Sequence, residues 1–225
     1  MTTDNTPHQP APATQGRTIP WAAFYDIVVR LMSLGKDSAI RKACVELAQI
    51  NPGDKVLDVG CGTGDLTLEA KKIAGSIGEV YGTDASPKMI EQAQQKALRT
   101  NADVTFQVGL VENISFPDNH FEVVLSSLMM HHLPDDLKSA GLAEIYRVLK
   151  PGGRLLIVDM QSTASGSLGQ RLSDFMIHVH GGHTTMQENV KKQVHFVEAV
   201  GFSIAETDKI NRQLAYILAR KPASS

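Results

Sequence analysis

Apolar and polar positions alternate along this chain in two rhythms, which predict two kinds of element. Short apolar runs are typical of buried strands, and longer segments with an apolar residue every three or four positions are typical of amphipathic helices. The predicted strands comprise residues 55–59, 80–84, 104–108, 121–128, 155–158, 202–208 and 213–220. The predicted helices comprise residues 37–50, 66–73, 86–99, 134–149 and 187–200.

The order of these elements predicts the fold class. Five strands alternate with helices, as in a parallel sheet, and the last two strands are close enough in sequence to pair as a hairpin. We therefore predict an α/β fold with a seven-stranded, mostly parallel sheet, an antiparallel hairpin at one edge and helices on both faces. A chain of 225 residues suits one such domain with a sizeable core.

Three segments lie outside this alternation. Residues 1–20 contain four prolines among polar residues and predict a disordered N-terminal tail, so residues 21–225 are predicted to form the single domain. Residues 21–50 are predicted to form two N-terminal helices. Residues 161–186 match no strand of the sheet and are predicted to form a lid.

Charge and composition exclude several classes of partner. A net charge of -2 without a basic block argues against binding to nucleic acid or to an anionic membrane. No apolar run reaches the roughly 18 residues of a membrane span, and residues 1–20 lack the apolar core of a signal peptide. Cys44 and Cys61 are far apart in sequence, so free thiols are expected. These features predict a soluble, cytoplasmic protein.

Residues 56–65 carry the strongest indication of a ligand site. An apolar strand interrupted by Asp58 leads into Gly60, Gly62 and Gly64 at alternate positions. Glycine adopts positive φ and lets the backbone approach a ligand closely. Because a helix follows, the sequence predicts a small molecule bound at a helix N-terminus and at the carboxyl end of a strand.

Such a turn can hold a nicotinamide dinucleotide, a flavin or S-adenosylmethionine, and three acidic residues help to separate them. Asp58 is costly to bury alone, and it can accept from a ligand ammonium group or from N–H groups of the turn. Asp65 stands where the dinucleotide fingerprint needs its third glycine, and a carboxylate there opposes a pyrophosphate but tolerates a zwitterion. Asp84 ends the second strand, where ribose hydroxyls lie, although a turn or cap role also suits it.

Four motifs occur together in this chain, at residues 56–65, 84–89, 116–121 and 147–153. In this combination the chain resembles the class I S-adenosylmethionine-dependent methyltransferases, over about residues 25–159. It is most similar to the ubiquinone/menaquinone-biosynthesis C-methyltransferases and related small-molecule enzymes. The resemblance implies a Rossmann-like sheet and S-adenosylmethionine as the cofactor.

The resemblance also assigns roles to single residues. Asp58 and the first two glycines would hold the methionine part of the cofactor, Asp84 both ribose hydroxyls, and Ala85 and Met89 the adenine. Leu110 departs from the acidic or amide residue usual in the family, so the backbone there would replace a side-chain bond to the adenine. The cofactor-binding residues implied are Tyr25, Asp58, Gly60, Cys61, Gly62, Asp84, Ala85, Met89, Leu110, Val111, Glu112 and Ser126.

The acceptor is expected beyond the ends of the fourth and fifth strands. In the similar enzymes a histidine at this point borders the acceptor pocket, so His131 and His132 are predicted as a base or an orienting group. A histidine at a strand end also suits simple packing against the following helix. The predicted substrate-binding residues are Met130, His131, Asp159, His178, His180 and His183.

The last three histidines form a short cluster that allows three interpretations. Imidazoles at this spacing suit zinc, a lid that faces the pocket, or ordinary surface positions. No carboxylate or cysteine nearby completes a metal-binding set. We therefore predict pocket lining and no metal.

Together these features predict a methyltransferase that moves a methyl group from S-adenosylmethionine to a small, partly apolar metabolite. The predicted partner is this small-molecule acceptor, and a homodimer is a compatible assembly. Two alternatives stay open from the sequence. One is a nicotinamide-dependent oxidoreductase on a similar sheet, and the other is an S-adenosylmethionine-binding regulatory protein without turnover.

Overall fold

One sheet of seven strands organises the protein, whose computed structural model describes residues 37–160 and 190–223. The strands are β1 (Lys55–Val59), β2 (Glu79–Asp84), β3 (Thr105–Val108), β4 (Phe121–Ser127), β5 (Leu149–Met160), β6 (Ser203–Lys209) and β7 (Leu214–Arg220). The helices are α1 (Asp37–Leu47), α2 (Asp65–Ala74), α3 (Pro87–Thr100), α4 (Asp135–Val148) and α5 (Val190–Ala199). A short 3-10 turn spans Met130–His132.

The strand order is β3-β2-β1-β4-β5-β7-β6. The first five strands in this order, β3, β2, β1, β4 and β5, pair with their neighbours in parallel. β7 pairs antiparallel with both β5 and β6, so the last two strands form a hairpin at the edge. The predicted fold class is confirmed.

Alternate residues of the strands enter two cores on opposite faces of the sheet. Leu57, Val124 and Ile157 pack with residues of α4 and α5, on what we call the α4–α5 face. Val56 and Leu125 pack with residues of α1 and α2, on the α1–α2 face. This alternation follows from the two-residue period of a strand, and it places helices on both faces as predicted.

The strand order reverses between β1 and β4. The chain runs outward from β1 to β3 and then crosses back to place β4 on the other side of β1. In open α/β sheets a ligand binds in the crevice that such a reversal leaves at the carboxyl ends of the strands. The glycine turn after β1 and the histidine pair after β4 both lie at this edge.

Most element boundaries differ from the predictions by one or two residues, and the start of β5 and the end of α1 differ by more. β5 begins at Leu149 and not at Leu155, because the expected turn at residues 151–153 is a bulge within the strand. The backbone of Lys221 accepts a hydrogen bond from Gly152 N–H and donates one to the carbonyl oxygen of Gly153. These two bonds keep the bulge in the sheet. α1 ends at Leu47, since Gln49 adopts a left-handed φ of 53°. The predicted tail, the helix before residue 37 and the lid at residues 161–186 lie outside the described residues.

Arg147 of α4 fixes the loop that leads into β4. Its guanidinium pairs with Glu144 in a bidentate manner, at 2.8 Å for Nε to Oε1 and 2.8 Å for NH2 to Oε2. It also donates to the carbonyl oxygens of Ile114 and Phe116, both at 2.8 Å. The motifs at residues 116–121 and 147–153 therefore contact each other through Arg147.

Gly64 stands where α2 begins and approaches two other elements closely. It adopts φ of 82°, and a Cβ there would lie 2.6 Å from Phe106 Cζ and 2.9 Å from Ala93 Cβ. Both distances are shorter than normal packing allows. A side chain at this position would therefore push α3 and β3 away from the turn.

We expect Gly64→Ala to lower the free energy of unfolding by about 2–5 kcal/mol, through left-handed strain of about 1–2 kcal/mol and overpacking of about 1–3 kcal/mol. Gly152→Ala is the matched control, since Gly152 has φ of 78° and open space around its Cβ position. Denaturant titration of both variants should show a loss of about 1–2 kcal/mol for the control. Equal losses would contradict the packing role of Gly64.

Candidate active site

The glycine turn after β1 is tied to the end of β2 by its backbone. The N–H groups of Gly60 and Cys61 both donate to the carbonyl oxygen of Thr83, at 2.8 and 3.0 Å. No side chain caps the N-terminus of α2 at Gly64. The first N–H groups of α2 and its positive dipole end thus suit a carboxylate or another negative ligand atom.

Asp58 is buried beneath this turn, at 2% exposure. Thr67 of α2 donates its hydroxyl to Oδ2 at 2.7 Å. The N–H groups of the glycine turn bond other acceptors, namely Thr83, Asp84 and Cys61. Burial raises the pKa of Asp58 to about 7, the Thr67 bond opposes this rise, and the charge of Asp84 adds to it. Two carboxylates so close together favour a cationic ligand.

Asp84, at the end of β2, joins the turn to α3. Its Oδ2 accepts from Gly62 N–H at 3.0 Å and its Oδ1 from Ser86 N–H at 2.8 Å. Burial raises its pKa, and the two backbone bonds oppose the shift. A carboxylate has about four lone-pair positions. The described bonds use two, so Asp84 both shapes the turn and keeps acceptor capacity for a pair of hydroxyl groups.

Asp65, the first residue of α2, pairs with two cationic side chains. Its Oδ1 accepts from Lys96 Nζ of α3 at 2.8 Å, and its Oδ2 lies 3.7 Å from Arg41 NH1 of α1. The carboxylate is thus balanced by charges from two other helices. These pairs weaken the electrostatic part of the sequence argument, which treats Asp65 as an unpaired charge.

Cys61 and Met89 contribute apolar packing near the turn. The Cys61 sulfur would lie 3.0 Å from a Cβ at Gly82, and the side chain packs against the core around Phe106. Burial first, then Asp58 and Asp84, raise the pKa of this thiol well above its usual value, so it is a poor nucleophile. Met89 is buried at 2% exposure.

The loop after β3 approaches the same edge through its backbone. Gly109 N–H donates to the Asp84 carbonyl oxygen at 3.1 Å, and Leu110 forms a bridge with Asn113. The Val111 side chain packs against Gly141 of α4 and so belongs to the core. Leu110, Glu112 and Ala85 are partly exposed. An adenine contact from this loop would therefore use backbone groups.

The end of the site where the acceptor is expected is built around a buried carboxylate at the end of β5. Asp159 is 1% exposed, and its Oδ1 lies 2.5 Å from His131 Nδ1. The backbone N–H of His131 donates to Oδ2 at 3.0 Å, and that of Met160 to Oδ1 at 2.8 Å. Gln193 Nε2 donates to Oδ2 at 3.0 Å. All four acceptor positions of the carboxylate are used.

These bonds determine the protonation state of the pair. Burial alone would raise the pKa of Asp159, but the bonds and charge of His131, together with Met160 and Gln193, lower it below its usual value. An ionised carboxylate only accepts hydrogen bonds, so Nδ1 of His131 carries the proton. In the neutral ring the lone pair is then on Nε2, which makes Nε2 the basic atom.

The backbone between β4 and α4 brings His131 to Asp159. Leu128 adopts a left-handed φ of 55°, and its N–H donates to Val158 at 2.8 Å. The 3-10 turn then carries His131 and His132, whose ring centroids are 3.9 Å apart. Met130 is buried in the core on the α4–α5 face, so it supports this turn from beneath.

Sequence reasoning missed Gln193. It occupies a core-facing position of α5, one helical turn before the buried Val197, and is 5% exposed. A polar residue on the apolar stripe of an amphipathic helix was the available signal. The predicted contributors Tyr25, His178, His180 and His183 lie outside the described residues.

Within residues 37–160 and 190–223, no group of three or more His, Cys, Asp or Glu side chains is arranged to hold a metal ion. In the same part of the chain, no helix has the length and apolar character needed to cross a membrane.

Residues 56–153 match the family model described as the methyltransferase domain. The chain carries a methyltransferase domain. The demethylmenaquinone methyltransferase of Deinococcus radiodurans is 35% identical to the chain over 158 residues, which are 70% of this chain and 64% of that protein. The ubiquinone/menaquinone biosynthesis C-methyltransferase UbiE of Burkholderia orbicola is 38% identical over 138 residues, which are 61% of this chain and 56% of that protein.

The chain thus spans less than two thirds of the length of these curated relatives. Among solved structures, a SAM dependent methyltransferase from Aquifex aeolicus superposes with a TM-score of 0.66 at 20% identity, over 80% of this chain and 89% of that chain. At this identity the likeness concerns the fold alone.

S-adenosylmethionine is the cofactor that the sequence resemblance implies, and the residues of the glycine turn fit it. The amino acid part of this molecule carries a carboxylate, which suits the uncapped N-terminus of α2. Its ammonium and sulfonium groups suit the buried carboxylate of Asp58, and its ribose hydroxyls suit the remaining lone pairs of Asp84.

Cofactor affinity should rise with pH around neutrality. In the free protein Asp58 has a pKa of about 7, and a bound cation lowers it, so binding below pH 7 must release the proton. We expect binding to be about tenfold weaker at pH 6 than at pH 8. Calorimetry should compare the wild type with Asp58→Asn at each pH. Protonation of the ligand affects both proteins equally, so the difference between them reports on Asp58. An identical pH dependence in the variant would refute the role of Asp58.

Asp84→Ala should weaken binding of S-adenosylhomocysteine by more than tenfold, about 1.4 kcal/mol, because the ribose loses its acceptor and the turn loses two bonds. Asp84→Asn should weaken binding less, since one oxygen remains. Asp103→Ala is the matched control, because Asp103 is exposed before β3. Unchanged affinity for Asp84→Ala in calorimetry would remove Asp84 from the site.

Proposed function

We propose that this protein is an enzyme that transfers the methyl group of S-adenosylmethionine to a small, partly apolar acceptor with a hydroxylated ring. The observation that carries the proposal is the His131–Asp159 pair, which sets a basic Nε2 at the carboxyl ends of β4 and β5, beside the glycine turn. The names of the two relatives point to quinone-type acceptors and to methylation at carbon.

The chemistry requires only a few groups from the chain. The cofactor would supply an electrophilic methyl group, whose carbon bonds to a nucleophilic atom of the acceptor in line while S-adenosylhomocysteine leaves with the electron pair of the C–S bond. A neutral ring hydroxyl is a weak nucleophile, and removal of its proton makes the ring electron-rich. His131 Nε2 takes that proton, and Asp159 stabilises the imidazolium that results. The His132 ring lies beside that of His131 at an interplanar angle of 42° and limits the orientations of the His131 ring.

Apolar side chains between the two halves of the site favour a partly apolar acceptor. Leu128 and Met129 are partly exposed and lie between Ser126 and His131 along the chain. Met129 also covers the glycine turn, since a Cβ at Gly60 would lie 2.3 Å from Met129 Cγ. The donor and acceptor halves therefore meet at this methionine.

Several sequence predictions belong to this proposal without a described structure. They are the closure of Tyr25 over the cofactor, the lid at residues 161–186, and pocket lining by His178, His180 and His183. A homodimer and the exclusion of nucleic acid as an acceptor also remain predictions. A cytoplasmic location is supported by the two free cysteines, Cys44 and Cys61. Burial raises the pKa of the Cys44 thiol to about 12 and that of the Cys61 thiol well above its usual value.

The two alternative functions receive no specific support. A nicotinamide-dependent oxidoreductase and a regulatory protein without turnover both differ from the relatives, which are named as methyltransferases. Binding titration with NADH against S-adenosylhomocysteine separates the first alternative. Methyl transfer to any acceptor excludes the second.

The proposal is tested by incubating the protein with a deuteromethyl-labelled donor and reduced prenylated naphthoquinones, followed by mass spectrometry of the products. His131→Gln should lower kcat by about 10²–10⁴-fold, as expected for loss of a general base. Its affinity for S-adenosylhomocysteine should stay within about twofold of the wild type, because His131 is tied to β5 and not to the glycine turn.

His195→Gln is the matched control, since His195 is exposed on α5. Full turnover by His131→Gln would overturn the base assignment. A loss of S-adenosylhomocysteine binding in that variant would instead move His131 to the cofactor half of the site.

A further inference from the structure

Gln193 has an amide whose orientation is determined by its partner. Asp159 is ionised and accepts from every neighbour, so only the NH2 group of the amide can face it. The carbonyl oxygen Oε1 therefore points away from Asp159. Among the described residues this oxygen is buried and has no hydrogen-bond partner.

A second buried polar atom without a described partner lies at the same corner. Ser126 Oγ is enclosed at the end of β4, and Ser126 pairs in register with Ile157, two residues before Asp159 on the neighbouring strand. Since Val124 and Ile157 both face the α4–α5 side, Ser126 and Asp159 do so too. Gln193 reaches Asp159 from α5 on that face.

Unpaired buried acceptors are rare in folded proteins and cost about 1–3 kcal/mol each. Two unpaired polar atoms near Asp159, one of which can only accept, indicate a place that polar groups of a ligand complete. A carbonyl oxygen has no proton, so Gln193 Oε1 recognises only a hydrogen-bond donor. This property distinguishes it from Ser126, whose hydroxyl can donate or accept.

We propose that Gln193 is an acceptor-binding residue. Its Oε1 accepts a hydrogen bond from a hydroxyl or N–H group of the acceptor, while its Nε2 holds Asp159 and so positions His131. The inference rests on the proposed methyl transfer. It adds that the enzyme selects ligands with two donors, one for His131 Nε2 and one for Gln193 Oε1. A ligand with only one of them leaves Oε1 unpaired and binds more weakly.

The test uses naphthohydroquinone and its monomethyl ether, which differ in one donor, under anaerobic reducing conditions. For the wild-type protein, kcat/KM for the diol should exceed that for the ether by at least about tenfold. Gln193→Met keeps the size of the side chain and removes the carbonyl oxygen, so this preference should fall to within about twofold. Glu198→Gln, an exposed change on α5, should keep the wild-type preference.

Equilibrium binding separates this inference from the proposed function. Calorimetry measures both compounds against the complex with S-adenosylhomocysteine, so it needs no turnover. Binding of the diol without methyl transfer, with the preference lost in Gln193→Met, would uphold Gln193 and overturn the proposed function. Absence of binding of either compound to the wild type would overturn the inference.

A structural role through Asp159 alone predicts a different result. Gln193→Met would then lower kcat equally for both compounds and shift the acidic limb of the pH profile of kcat, with the preference for the diol unchanged. That outcome would overturn the contact with the acceptor. A variant with intact S-adenosylhomocysteine affinity and a reduced preference for the diol would confirm it.

Discussion

The hydrogen bonds to the buried carboxylate of Asp159 hold together the acceptor half of the proposed site. A charge inside a fold is stable only when donors surround it, and Asp159 collects them from the 3-10 turn, from its own strand and from α5. Each hydrogen bond to Asp159 therefore fixes the position of the element that carries its donor. The same contacts orient the ring of His131, so the stability of this corner and its chemistry have one cause.

The two halves of the proposed reaction lie on opposite faces of the sheet. Asp58 follows Val56 on the α1–α2 face, and Ser126 follows Val124 on the α4–α5 face. They meet only where β1 and β4 end side by side, since Asp58 pairs with Leu125 and Val59 with Ser126. A transfer between two molecules suits this geometry, because each face can bind one of them while the crevice joins both.

The local pattern of apolar and polar residues predicts the strands and helices, but it does not predict the partners of the charged residues. The central strands are nearly continuous apolar runs because both of their faces are buried, and such runs can be recognised in the sequence alone. The sequence singles out Asp58 and Asp84 near strand ends, but their partners, Thr67 and the Gly62 N–H group, follow from the turn geometry. The pairing of Asp65 with Lys96 could not be foreseen, because Lys96 lies 31 residues away in sequence. Gln193 was overlooked because Asp159 is 34 residues away.

By itself, the sequence determined the order of strands and helices, the glycine turn and the family, because these depend on spacing between near neighbours. The tertiary structure decided which nitrogen of His131 bonds Asp159, that Asp65 is paired with residues of α1 and α3, and that an amide on α5 reaches Asp159. These properties depend on hydrogen bonds between residues far apart in the chain. Only the folded sheet brings such groups within 3 Å of one another.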